Sequence, residues 1–238
     1  MSHVCPMYPD EATRDAIDEA IEEERDPPWP PTVLHLEPQD ESLPGWQELL
    51  RLIDDAATDG RAVFAPKQDL GPELWSQVIT LPASIGKLKH VKELDLYRSN
   101  LLRIPPEIGD MESLERFVPY TSYGLHWFPY EITRCRKLVR STVSTRALYG
   151  NHKYRPPFPL LEPVVHPLVP SACSVCGNPL DPAQVRQAWI SLRVATDVLP
   201  LLVNACSDAC LNAHPAPPDG YLAGWHKGGR SVRQPPAR

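Results

Sequence analysis

LPASIGKLKHVKELDLYRSNLLRIPPEIGDMESLERFVPYTSYGLHWFPYEITRCRKLVRSTVSTRAL, residues 81–148, holds a unit that recurs every 23 to 24 residues. Leu81-Pro82, Ile104-Pro105 and Phe128-Pro129 open successive copies. Ile85, Ile108 and Ile132 follow at one offset, Leu88, Met111 and Cys135 at the next, then Val91, Leu114 and Leu138. A fixed period of this length predicts a solenoid, in which each unit buries its apolar side only against its neighbours.

The first copy adds Leu94-x-Leu96, Ser99-x-Leu101 and Ile104-Pro105. The full pattern resembles the leucine-rich repeat, in the intracellular form that carries LP-x-x-I-G. The likeness is strongest over 81–105, extends to about 148 and covers under a third of the chain. It implies an α/β fold: a short solenoid of strands and tight helical turns that binds a protein on its strand face. Three features depart from the family. Ser76, Ser99 and Ser122 stand where the family has Asn, and serine offers fewer hydrogen-bonding groups for the loop. Pro119 removes a ladder N–H at a strand position. Ser141 occupies a slot that the pattern reserves for an apolar residue.

Alternation along each strand sends Val91, Leu94 and Leu96 inward and leaves Glu93, Asp95 and Tyr97 outside. The next unit places Arg116, Val118 and Tyr120 on that face, and the third places Arg140, Thr142 and Ser144 there. Neighbouring tyrosines among mixed charges are typical of protein-binding patches. Glu93, Asp95, Tyr97, Arg116, Val118, Tyr120 and Arg140 are therefore the candidate partner-binding residues.

A solenoid needs a cover over its first layer. Residues 42–59 predict that cap as a helix, with Ser42 as N-cap, Pro44 in the first turn and Gly60 as the stop. Trp46, Leu49, Leu50, Leu52 and Ile53 form its apolar side. Residues 61–64 read as a short strand and 74–80 as a degenerate repeat.

Four cysteines carry a second motif. Cys173-x-x-Cys176-Gly177 is a knuckle spacing that lets two thiolates meet one ion, with glycine for the turn. Cys206-Ser-x-x-Cys210 follows some 30 residues later, opening a short predicted helix. Residues 189–194 and 198–203 read as two strands joined at Thr196-Asp197, which would return the second pair to the first. Knuckle, hairpin and helix together resemble the treble-clef class of zinc folds. The expected ligands are Cys173, Cys176, Cys206 and Cys210. Four thiolates leave no open position, so the zinc would be structural. His214, four residues beyond Cys210 on the same predicted helix face, could replace a cysteine as ligand but reads first as an exposed helical histidine.

The chain then divides by expectation into an acidic, Pro-rich arm (1–40), the repeat domain with its cap (41–155), a Pro-rich linker (156–170), the zinc module (171–225) and a basic tail (226–238). The 29 prolines cluster outside the repeats, as tails and linkers require. The net charge of −6 offers no general attraction to nucleic acid or anionic membrane. Residues 134–155 are locally basic, and with the zinc module they form the alternative, nucleic-acid-binding reading. No secretory signal or transmembrane stretch is legible, and paired metal-type cysteines fit a reducing, cytoplasmic setting. No phosphate loop, dinucleotide fingerprint, zinc-protease or serine-hydrolase motif occurs, so no enzyme is expected. Cys135 sits in a repeat core slot and reads as inert.

Overall fold

The computed structural model describes residue 32 and residues 34–236. Most of the expected acidic, Pro-rich arm, residues 1–31 and 33, lies outside the described residues, as do 237 and 238 of the expected basic tail.

The fold is mixed α/β, with one parallel sheet, one mixed sheet and few helices. It opens with α1 (Pro44–Asp59), β1 (Val63–Phe64) and α2 (Pro66–Trp75). Gly60 ends α1 in the left-handed region at φ 67°, its N–H donating to Ala56 O. Leu43, rather than Ser42, is the N-cap, and it offers no side-chain cap. The Ser42 hydroxyl instead donates to Asp40. Helix α2 was not expected. It ends at Trp75, and Trp46 and Trp75 are both buried, so two helices cover the first layer.

Strands β2 (Glu93–Asp95), β3 (Arg116–Val118) and β5 (Arg140–Ser141) follow β1 in a parallel sheet ordered β1-β2-β3-β5. The sequence period is visible in the register. Glu93 pairs with Arg116 and Arg116 with Arg140; Leu94 pairs with Phe117 and Phe117 with Ser141. The 3-10 turns Ala83–Lys87, Pro106–Asp110 and Tyr130–Arg134 stack on the other side at the same interval. Close stacking explains Gly109: a Cβ there would lie 2.5 Å from Glu131 O.

The serines in the asparagine slots build a ladder of their own. Ser122 Oγ accepts from the Ser99 N–H (3.1 Å) and the Ser99 hydroxyl (2.7 Å), and donates to Leu96 O (2.9 Å). Ser144 Oγ accepts the Thr121 N–H at 2.7 Å. Ser99 is satisfied by the next unit and Ser122 by the preceding one, which offsets their burial, whereas exposed Ser76 bonds Glu73 O within α2's last turn.

The far end of the stack is closed by β6 (Arg186–Val194) and β7 (Asp197–Ala205), an antiparallel hairpin. Strand β4 (Phe128–Pro129) pairs parallel with β7, giving a second sheet ordered β4-β7-β6. One continuous apolar core therefore runs from Trp46 in α1 to Leu211 in α3 (Asp208–Asn212). The hairpin forms this cover. The linker supplies Phe158 and Leu161 to a smaller aromatic cluster with Trp127, Tyr149 and Trp189.

The described ends of the expected arm and tail are held against the fold by hydrogen bonds to its backbone. Arg103 donates to His35 O (2.7 Å) and Glu37 O (2.6 Å), and Gln39 bonds both Gln77 O and the Ile79 N–H. At the other end, Trp189 and His226 exchange both backbone hydrogen bonds, and Leu161 N donates to Lys227 O. The 226–236 stretch thus meets β6 at Trp189 and then bonds to residues 155–161.

Candidate metal centre and exposed sheet face

Gly177 adopts φ 76°, and its N–H reaches Cys173 O at 3.0 Å, which folds the knuckle so that Cys173 and Cys176 share a side. The hairpin brings Cys206 to the same point. The Ser207 hydroxyl accepts the Cys210 N–H at 3.2 Å and starts α3, which turns Cys210 inward. The four Sγ atoms lie within 4.8 Å of one another. Cys176–Cys206 is 3.6 Å and Cys206–Cys210 is 3.7 Å. Tetrahedral thiolates around an ion with bonds of about 2.3 Å stand about 3.8 Å apart, so the donor set fits a bound metal. All four are free thiols.

The electrostatics point the same way. Burial pushes the Cys173 thiol up, but the backbone N–H groups of Cys176, Cys206 and Val175 outweigh it and bring it down to about 7. The Ser207 hydroxyl pulls Cys210 down, while burial and the other sulfurs drive it up to about 12. One thiolate forms readily and opposes the next. A cation relieves that repulsion.

The knuckle is bolted to the third repeat unit. Arg134 donates to Ser174 O (2.9 Å) and Cys173 O (3.2 Å), and Ser174 and Asn204 are joined by two hydrogen bonds. Arg134, the first cation of the locally basic stretch 134–155, is thus used inside the fold. His214 lies beyond α3, which stops at Asn212, and is outside the sulfur cluster.

On the parallel sheet, Tyr97 and Tyr120 stack at 6.3 Å with planes 20° apart, and they are 41% and 47% exposed. Glu93 pairs with Arg116 at 3.5 Å, and Asp95 accepts the Tyr97 N–H. Arg140 is exposed. Val118 does not belong to the open face as expected: it is only 9% exposed. Two further groups join the face. Tyr123 is 50% exposed, and Lys67 of α2 holds its ammonium 5.0 Å from the Tyr97 ring centre. Lys67 precedes the first clear repeat, so periodicity could not find it.

Compared with known proteins, the chain matches no protein-family profile and no curated protein at a significant level. Among the described residues, no helix is long and apolar enough to cross a membrane.

Proposed function

We propose that this chain is a non-enzymatic interaction protein built on a short leucine-rich repeat solenoid, with the Tyr97–Tyr120 face as its contact surface for a protein partner. The observation behind this reading is the stacked, half-exposed tyrosine pair. Aromatic rings left open beside Lys67, Arg116 and Arg140 resemble the anchors that carry most binding energy in interfaces. In this reading Cys173, Cys176, Cys206 and Cys210 hold a structural zinc ion in a treble-clef-like arrangement. Zinc suits four thiolates, and four protein ligands leave no site for substrate. A cytoplasmic setting follows from thiols that must stay reduced.

The test is an affinity capture from native lysate with wild type and with Tyr97→Ala/Tyr120→Ala, matched for melting temperature. A protein retained by wild type and lost by the variant supports the reading. Identical captures would place the contact elsewhere.

A second reading is nucleic-acid binding through the cysteine module and residues 134–155. Exposed Arg136, Lys137, Arg140, Arg146 and Lys153 favour it. It predicts oligonucleotide affinity that falls steeply with salt. Absence of binding at low salt would remove it.

A further inference from the structure

The register of the parallel sheet sets Glu93, Arg116 and Arg140 in one row across its exposed face. Glu93 meets Arg116 at 3.5 Å and neutralises it. Arg140 stands directly opposite Arg116 on the next strand, about 4.8 Å away between chains, and is exposed. Like charges placed this way repel. Among the described residues Arg140 has no hydrogen-bond or ion-pair partner, so no acid of the fold relieves that repulsion.

The tyrosine row holds a second unpaired cation. Lys67 lies over the Tyr97 ring at 5.0 Å and meets no carboxylate among the described residues. The two rows belong to one face, because the parallel ladder continues past the strand ends. Leu96 N–H donates to Val118 O (3.0 Å) and Arg98 N–H to Tyr120 O (2.9 Å). Four extended residues, roughly 13 Å, therefore separate the arginine row from the tyrosine row. Between them lie Asp95, nearly buried Val118 and exposed Thr142. Asp95 is the acid of this middle row.

We propose that this face takes one extended, acidic peptide segment of the partner. A carboxylate side chain of that segment sits between Arg116 and Arg140. An apolar side chain four or five residues along rests on the Tyr97–Tyr120 rings, and a further carboxylate lies beside Lys67. The inference rests on the tyrosine face being the contact surface. Forked guanidinium donors match a carboxylate. Asp95 repels acid from the centre of the face, so the order of groups along the peptide is selected by repulsion as well as attraction.

A phage-displayed library of random dodecapeptides, selected on the full chain at low salt, tests this. Enriched peptides are expected to carry Asp or Glu four or five positions from Pro, Leu or an aromatic residue. The leading peptide, synthesised with a fluorescein label, is expected to bind Arg140→Gln about fivefold more weakly than wild type in an anisotropy titration. Arg140 has no partner in the fold, so this loss would not be structural. Replacing the peptide's own acids by amides should remove the difference between the two proteins, and rising salt should shrink it.

A selection that enriches no peptide, enrichment without acids, or equal affinity for wild type and Arg140→Gln would each overturn the inference. A single-stranded DNA oligonucleotide bound by wild type and lost by Arg140→Gln, with no peptide enriched, would overturn it and assign the arginines to nucleic acid. Tyr97→Ala/Tyr120→Ala separates this inference from the reading beneath it. Peptides that lose affinity with the tyrosines but not with Arg140 leave the face standing and remove only its acidic ligand. Peptides indifferent to both variants would refute the face itself.

Discussion

Ser141 donates its hydroxyl to the Asp197 carboxylate at 2.6 Å, joining the last strand of the parallel sheet to the turn of the β6–β7 hairpin. Thr196 Oγ1 completes the junction: it accepts the Ser141 N–H (3.1 Å) and donates to Ser141 O (2.8 Å). A side chain thus takes the place of a further strand on the open edge of β5. The residue that breaks the apolar pattern of the repeats is the one that fastens the terminal cover.

Ser141→Ala should destabilise the fold by about 0.5–1.5 kcal/mol, because it removes the hydroxyl's hydrogen bonds to the half-buried Asp197 carboxylate and to Val194 O while leaving the backbone bonds to Thr196. Ser141→Leu, which restores the apolar pattern, should cost at least as much, since it loses the same hydrogen bonds and adds bulk at a buried position beside Val194, Thr196 and Asp197. Urea midpoints of the two variants check this. A Leu variant more stable than wild type would mean the junction is dispensable.

Metal removal should melt more than a local module. Arg134 ties the knuckle to the third repeat unit, and the core is continuous from Trp46 to Leu211. Structural zinc sites in peptides supply about 10–16 kcal/mol of apparent binding energy. Elemental analysis should find one metal per chain, and chelation or Cys206→Ser should lower the melting temperature of the whole chain. Fluorescence and circular dichroism should report a single transition. Loss of metal with an unchanged melting curve would show that the site does not support the fold.

Gly109→Ala should cost about 1–3 kcal/mol by overpacking, since its Cβ would press on Glu131 O in the next turn. Gly177→Ala meets open space and is strained only by its φ of 76°, so about 1 kcal/mol is expected. Thermal melts of the two variants should rank them in that order.

Acid should weaken the fold through buried histidine. Burial lowers His226 to about 4, and Gly228 N–H donates to its Nδ1, which requires that nitrogen unprotonated. The unfolded chain takes up the proton near 6.5, so it binds more protons than the folded chain between about 6.5 and 4. Stability is full above that window and falls as pH drops through it, by at most about 1.4 kcal/mol per pH unit for one proton. Burial lowers His126 as well. Urea midpoints between pH 7.5 and 4.5 should show the slope, and His226→Gln should reduce it without removing the His126 share. An unchanged slope would put the titration elsewhere.

The repeating Leu-Pro, Ile and Leu positions made the parallel register legible, since a period of 23 to 24 residues is also the spacing from Glu93 to Arg116 to Arg140. Cysteine spacing likewise made the four-sulfur cluster legible. Both are local regularities, in which each residue's partner sits at a countable offset. Helix α2, Lys67 over Tyr97, the near-burial of Val118 and the pinning of 34–40 and 226–236 were not legible, because each depends on contacts between distant segments. Sequence by itself determined the repeating unit and the four-cysteine set, through periodicity and spacing. Only the tertiary structure decided that repeats and cysteine module share one core. That outcome rests on a parallel pairing of Phe128 with Leu201 and a hydroxyl at Ser141, neither of which any local pattern encodes.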